Sequence, residues 1–251
     1  MFRTILQRTR HTGHITRTLP FILISLLLFP TPGLSTELSG RFERTYSTQG
    51  PAHLTISNVN GTVRVVAWDK KTISARANAG PSVAIEDQVL GNDIEITVRR
   101  NLRLARADFE ISVPADTAIT VKNYVGEIEL KNINGHISIN SIDSNVHLVN
   151  INSPAVDVRV TTGDIFFDGE LHDGGAYSFQ SMKGDLDITL PSGTPFNLNA
   201  RALSENINLG SFMNSLTGSS RGPKGVAGTH LKGGARLTLT SYAGRILLHK
   251  K

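Results

Sequence analysis

Apolar and polar residues alternate along most of this chain, and in "VDVRVTTGDIFF" (residues 156–167) two alternating pairs flank a Thr-Thr-Gly break. A template with apolar residues at positions 0, 2, 9 and 11 and glycine at 7 fits seven segments. Four are Leu54-Ile56-Gly61-Val63-Val65, Ile119-Val121-Gly126-Ile128-Leu130, Ile137-Ile139-Ser144-Val146-Leu148 and Val156-Val158-Gly163-Ile165-Phe167. The others are Tyr177-Phe179-Gly184-Leu186-Ile188, Leu198-Ala200-Glu205-Ile207-Leu209 and Leu237-Leu239-Gly244-Ile246-Leu248. Every apolar slot is filled although only 39% of the residues are hydrophobic, which argues against coincidence. Period two makes each half-unit a short strand with one face inward, and glycine suits a corner that needs positive φ or close backbone approach.

The five units from Ile119 to Leu198 begin 18, 19, 21 and 21 residues apart. So regular a period predicts an all-β fold, a single-stranded parallel β-helix or β-solenoid of roughly 18–21-residue coils, each stacked on the last. The handedness expected from crossover sterics is right-handed. Pro154, Pro191 and Pro195 fall between the alternating runs, where a missing N–H does least harm. From Leu54 to Ile119 alternation continues in "TISARA", "NDIEITVRR" and "DFEISVP" without the glycine signature, which predicts a more antiparallel N-terminal cap. The Gly- and Ser-rich stretch at 210–235 reads as a flexible excursion from one coil, or a degenerate coil with a projecting loop.

Residues 1–35 change the reading of the charge. A basic stretch through Arg17, the apolar run "LPFILISLLLF" and the small residues Gly33 and Ser35 predict a cleaved export signal, too short in its apolar run to span a bilayer. The segment holds four arginines and no acid, so the remaining chain has 26 − 4 = 22 basic against 21 acidic residues. A net charge of +1 gives nucleic acid little reason to bind. The expected layout is therefore a signal over 1–35 and one solenoid domain over 36–251, with no transmembrane span in the mature chain. There is no cysteine, which excludes disulfides, a thiol nucleophile, Cys-ligated metal and a lipidated N-terminal cysteine.

"FERTY" (Phe42–Tyr46), "HLTISNVNGTVRVVAWD" (His53–Asp69), "FEISVP" ending at Pro114, the tandem G-[DE]-[IL] coils and "LTLTSYAGRILL" occur in an order that resembles the bacterial DUF4097 family of adhesin-like proteins. That family is similar to the head domains of autotransporter-like adhesins. The resemblance covers residues 40–251 and implies a β-solenoid on the cell surface or in the envelope. It brings no catalytic residues.

Candidate chemistry is sparse. Position 8 makes an outward column of Thr62, Glu127, Asn145, Asp164, Asp185, Asn206 and Arg245. Asp164 and Asp185, one coil apart, offer too few oxygens for a Ca²⁺ site and read as solvated acids beside a turn. Asp157, Asp164, Asp185 and Asp187 are spaced suitably for glycoside cleavage, but short turns give no walls for a cleft. His53, His136, His147, His172, His230 and His249 share no template column and read as isolated surface residues. "RRNLRLAR" (Arg99–Arg106) reads as a charged edge that discourages association, or as a patch for anionic lipid or acidic polysaccharide. Asn58, Asn123, Ser141, Ser181 and Ser241 at position 4 are expected to bond the corner backbone. Val59, Tyr124, Ile142, Met182, Leu203 and Tyr242 at position 5 either fill the corner of the core or form an exposed apolar stripe, and filling the core is the expectation, since an exposed stripe is costly unless a partner covers it. No metal, cofactor or catalytic residue is assigned. The expected protein is an exported, non-catalytic binding or structural module for a glycan, an envelope component or another protein, with a polysaccharide-active enzyme or a scaffold joined through its end coils as alternatives.

Overall fold

A computed structural model describes residues 35–37, 40–80, 83–99 and 106–251, all within one compact unit, Pro32–Lys251. The export segment expected over 1–35 lies outside the described residues apart from Ser35, and so do residues 100–105 of the arginine-rich stretch.

The strands follow from the alternation. The N-terminal third forms β1 (Ser35–Glu37), β2 (Arg41–Ser47), β3 (His53–Ser57), β4 (Asn60–Trp68), β5 (Thr72–Ala79), β6 (Ala84–Leu90), β7 (Asp93–Arg99) and β8 (Ala107–Pro114). The repeats then give β9 (Ala118–Lys131), β10 (Ile137–Ile151), β11 (Ala155–Thr162), β12 (Ile165–Gly169), β13 (Ala176–Lys183) and β14 (Leu186–Leu190). Beyond them come β15 (Phe196–Ala202), β16 (Ile207–Asn208), a 3-10 turn at Gly210–Ser215, β17 (Leu216–Gly222), β18 (Gly225–His230), β19 (Ala235–Ser241) and β20 (Ile246–Lys250). In β9 and β10 the two expected half-strands are one continuous strand of 14 and 15 residues, so the corner is a bend rather than a break.

The repeats pair side by side in two parallel ladders. The first runs β7–β3–β9–β10–β11–β13–β19–β15 and places Leu54, Ile119, Ile137, Val156, Tyr177, Leu237 and Leu198 in one row. The second runs β8–β4–β9–β10–β12–β14–β20–β16 and aligns Val63, Ile128, Val146, Ile165, Leu186, Ile246 and Ile207. All seven units are thus in register, residue for residue. Every apolar template position is buried except Ile207, which is partly buried. Shortening one of the fully buried Leu or Ile side chains to Ala would cost about 2–5 kcal/mol.

Stacking each unit on the last holds from the Leu54 unit to the Tyr177 unit and fails at the C-terminal end. β19 and β20 lie between the β13/β14 and β15/β16 units, so the final repeat is inserted one place inward. β3 and β4 are flanked by β9 on one side and by β7 and β8 on the other. Antiparallel strands cover both ends: β6 and β1 beyond β7, β5 and β2 beyond β8, and β18 and β17 beyond β15. The antiparallel N-terminal cap matches expectation. The 210–235 excursion is instead a 3-10 turn and a hairpin, with Phe212 and His230 packed on Phe196 at ring distances of 5.4 and 5.0 Å. The hairpin covers the β15 edge and moves the outer edge to the exposed strand β17.

Candidate functional site

The corners come first, because they decide what the outward columns can do. A Cβ on Gly61, Gly126, Gly163, Gly184 or Gly244 would come closer than 3.0 Å to a carbonyl of the adjoining strand. Of the five, Gly61, Gly126 and Gly163 also have positive φ, whereas Gly184 and Gly244 are required by space alone. Three of the five polar residues at position 4 bond the corner backbone as expected, while Asn123 Nδ2 and Ser141 Oγ donate instead to the Ser144 hydroxyl. Ser181 Oγ donates to the Gly163 carbonyl (2.9 Å) and Ser241 Oγ to the Gly184 carbonyl (3.0 Å), while Asn58 Nδ2 donates to the Ala107 carbonyl (3.1 Å).

The position 8 acids are not simply solvated. Asn145 Oδ1 accepts the N–H of Asp164 (3.0 Å), Asp164 Oδ1 that of Asp185 (2.7 Å), and Asp185 Oδ1 that of Arg245 (2.7 Å). Each side chain satisfies the backbone of the next unit, where the glycine corner interrupts the ladder. Asp185 Oδ2 also accepts from the Arg245 guanidinium at 2.6 and 2.9 Å, and this donation holds the carboxyl below the ordinary carboxylate range. Three of the four carboxylate oxygens in the pair brought together as a candidate for Ca²⁺ are therefore taken by protein donors. Among the described residues no group of three or more His, Asp or Glu side chains is arranged to hold a metal ion.

Position 5 overturns its expectation. Tyr124, Ile142, Met182, Leu203 and Tyr242 are between 41% and 47% exposed, and only Val59 packs against the core. The corner is tight enough for the position 4 side chains to fill it, so the next residue is turned outward. The result is an apolar stripe along one edge of the ladders, running in the order Tyr124, Ile142, Met182, Tyr242, Leu203, with Thr161 between Ile142 and Met182.

A groove of about 440 Å³ crosses the outer face of the first ladder at the entry end of its strands. It spans β3, β9, β10, β11, β13 and β19, six successive strands. Its depth comes from the residue just before each unit: Ala118, Ala155 and Ala176 make low points in the row where His53, His136 and Arg236 stand up. Beside them runs a hydroxyl row, Thr120, Ser138, Ser178 and Thr238, interrupted by Asp157. His53 Nε2 lies 3.0 Å from Thr120 Oγ1, and His53 Nδ1 lies 3.6 Å from Asp93. Arg159 holds Asp157 Oδ2 at 2.9 Å, while Asp157 Oδ1 is buried with no hydrogen-bond partner.

Of the four carboxylates considered for glycoside cleavage, only Asp157 lines the groove. Asp164 and Asp185 sit at the corner, and Asp187 lies on the second ladder, 3.4 Å from His249. His53 and His136 do share a column, two strands apart with Ala118 between them, contrary to the expectation of isolated histidines. Both stand at position −1, one residue before the first apolar position of their units. His230 departs from that expectation too, since it is buried with Nδ1 2.8 Å from the Thr194 carbonyl. At the ends of the arginine-rich stretch, Arg99 pairs with Glu86 (2.6 Å) and Arg106 with Asp108 (2.9 Å).

No protein-family model and no curated protein matches this chain. It is similar in structure to a putative cell adhesion protein from Clostridium sporogenes, with a TM-score of 0.49 and 12% identity over 84% of this chain and 99% of that one. It is also similar to a putative adhesin from Bacteroides fragilis, with a TM-score of 0.41 and 13% identity over 84% of this chain and 97% of the other.

Proposed function

We propose that this chain is an exported, non-catalytic β-solenoid of the DUF4097 type, acting as an adhesin-like binding module of the cell envelope or surface. The carrying observation is the in-register alignment of seven units, which turns single residues into rows and opens a continuous groove across six strands. A linear ligand laid along such rows meets similar donors and acceptors at each strand, so affinity accumulates from repeated weak contacts. The single carboxylate in the groove, already paired to Arg159, favours binding over hydrolysis there. The antiparallel strands over both ends disfavour a scaffold joined through open end coils. Among the described residues no helix is long and apolar enough to cross a membrane.

The test is binding of the labelled full chain to a glycan array and to bacterial envelope fractions, compared with a variant carrying Ser138→Tyr and Ser178→Tyr, which fills the groove from its hydroxyl row. Binding by the parent and loss in the variant are expected. Equal binding by both chains, or release of shortened glycan products by the parent, would sink the proposal.

A further inference from the structure

Resting on that reading of the groove as the binding face, we infer that its ligand is an acidic polysaccharide, laid along the stack and anchored by its anionic groups at Arg236. Four side chains that are cationic or can become so line the groove: His53, His136, Arg159 and Arg236. They face one carboxylate, Asp157, which Arg159 already occupies. Arg236 has no carboxylate partner among the described residues, and its neighbours across the strands are Ala176 and Asn197. An unpaired guanidinium beside a small residue is a fork of donors with room in front of it, suited to a planar carboxylate or a sulfate.

Shape and the second row narrow the class. Six strands at about 4.8 Å give a trough roughly 24 Å long. A chain of linked sugars advances per residue by a distance comparable to the strand spacing, so successive sugars can meet successive rungs. Thr120, Ser138, Ser178 and Thr238 then supply a hydroxyl on four of the six rungs for sugar hydroxyls, each able to donate and accept. A bilayer surface cannot follow a trough whose low points are alanines, and a nucleic acid needs more charge than two arginines and a net of +1 beyond residue 35 provide.

Affinity electrophoresis of the full chain tests this, in gels containing polygalacturonate or neutral dextran, with sedimentation on phosphatidylglycerol vesicles as a third arm. Retardation by polygalacturonate, weakening as salt rises, and none by dextran is the expected pattern. Arg236→Gln should weaken it about three- to fivefold, and Arg236→Lys should restore part of the loss. Arg159→Gln is avoided because it would free Asp157 and confound the charge. Arg221→Gln, on the exposed terminal hairpin, should leave retardation unchanged. Circular dichroism of each variant checks folding. Equal retardation of Arg236→Gln and the parent overturns the inference, as does vesicle binding without polysaccharide binding. Dextran retardation lost only on filling the groove with Ser138→Tyr and Ser178→Tyr would overturn the ionic anchor and leave the binding face standing. Retardation indifferent to the filled groove would overturn both.

Discussion

From Leu54 to Leu190, units that follow one another on the template lie beside one another in space; at the C-terminal end the last two exchange places. The two regions use the same alternating strands and the same core rows, so what differs is not the unit but its placement. Units built on one template can each dock on any other, and finer chemistry decides between them. At the C-terminal end that chemistry is visible. The surface of the Tyr177 unit presents the Gly184 carbonyl, which needs a donor, and a glycine corner with no room for a Cβ above it. The Leu237 unit brings Ser241, which donates to that carbonyl, and Gly244, which fits the gap; its Arg245 also pairs with Asp185. The Leu198 unit has Ala202 and Glu205 at those positions; its Ser204 Oγ supplies the donor instead, to the Gly244 carbonyl (2.5 Å), but it brings no glycine. It takes the outer place, where Glu205 adopts a φ of 63° with no further unit stacked above it.

The largest effect should follow from removing the inserted unit. Ending the chain after Gly234 takes away β19 and β20, which are interior strands despite being terminal in sequence. The expected product has no cooperative urea transition, because β15 and β16 lose their inner neighbours together. A sharp transition in the shortened chain would mean that the outer unit can close onto β13 directly, and that the order is a preference rather than a requirement.

Next in size is the contrast between a glycine inside the stack and its counterpart at the end. Gly184→Ala and Gly244→Ala should each cost about 2–4 kcal/mol, since the new methyl meets a backbone carbonyl that cannot move without opening the ladder. Glu205→Gly occupies the same template position and relieves a positive φ, so it should be neutral or stabilise by up to about 1 kcal/mol. Urea denaturation of the three variants checks the sign as well as the size. A similar loss in all three would show that corner conformation, and not stacking, is what glycine supplies.

These details bound what the sequence makes legible. Alternation and spacing reveal the strands, their register and the buried rows, because burial of one face is encoded locally in every unit. Unit order is not encoded in spacing. The linker 191–195 is as long as 132–136, and five residues reach roughly 16 Å, further than the two strand spacings that β15 skips. Corner composition does not read out the order by itself either: the Leu198 unit has Glu205 in the glycine position, but the interior Ile137 unit also lacks the glycine, with Ser144 there. The outward turn of the position 5 stripe is not legible, because periodicity shows that a residue is apolar, not which way a bend turns it. The groove was half legible: the rows of hydroxyl and charged side chains follow from the template, whereas the position −1 row of alanines, histidines and Arg236 fell just outside it.

The smallest expected effect concerns the one ion pair that the inserted order creates. With the Leu198 unit next in line, Asp185 would have met Asn206; with the Leu237 unit there, it meets Arg245. Asp185→Asn keeps an Oδ1 to accept the Arg245 N–H, as Asn145 does for Asp164, and removes only the charge. Arg245 is exposed and Asp185 partly so, so solvent screens the pair and the loss at neutral pH should be smaller than for either stacked-glycine variant. The pH dependence carries the test. The folded carboxyl titrates below its unfolded value of about 3.9, so its contribution is fully present above that pH and is lost as pH falls through the folded value. The stability gap between parent and Asp185→Asn should therefore be constant from pH 7 to 5 and close below about pH 4. A gap that persists undiminished at pH 2 would place the effect in the shape of the side chain, and the charge of Arg245 would then have no part in holding the last repeat in its interior place.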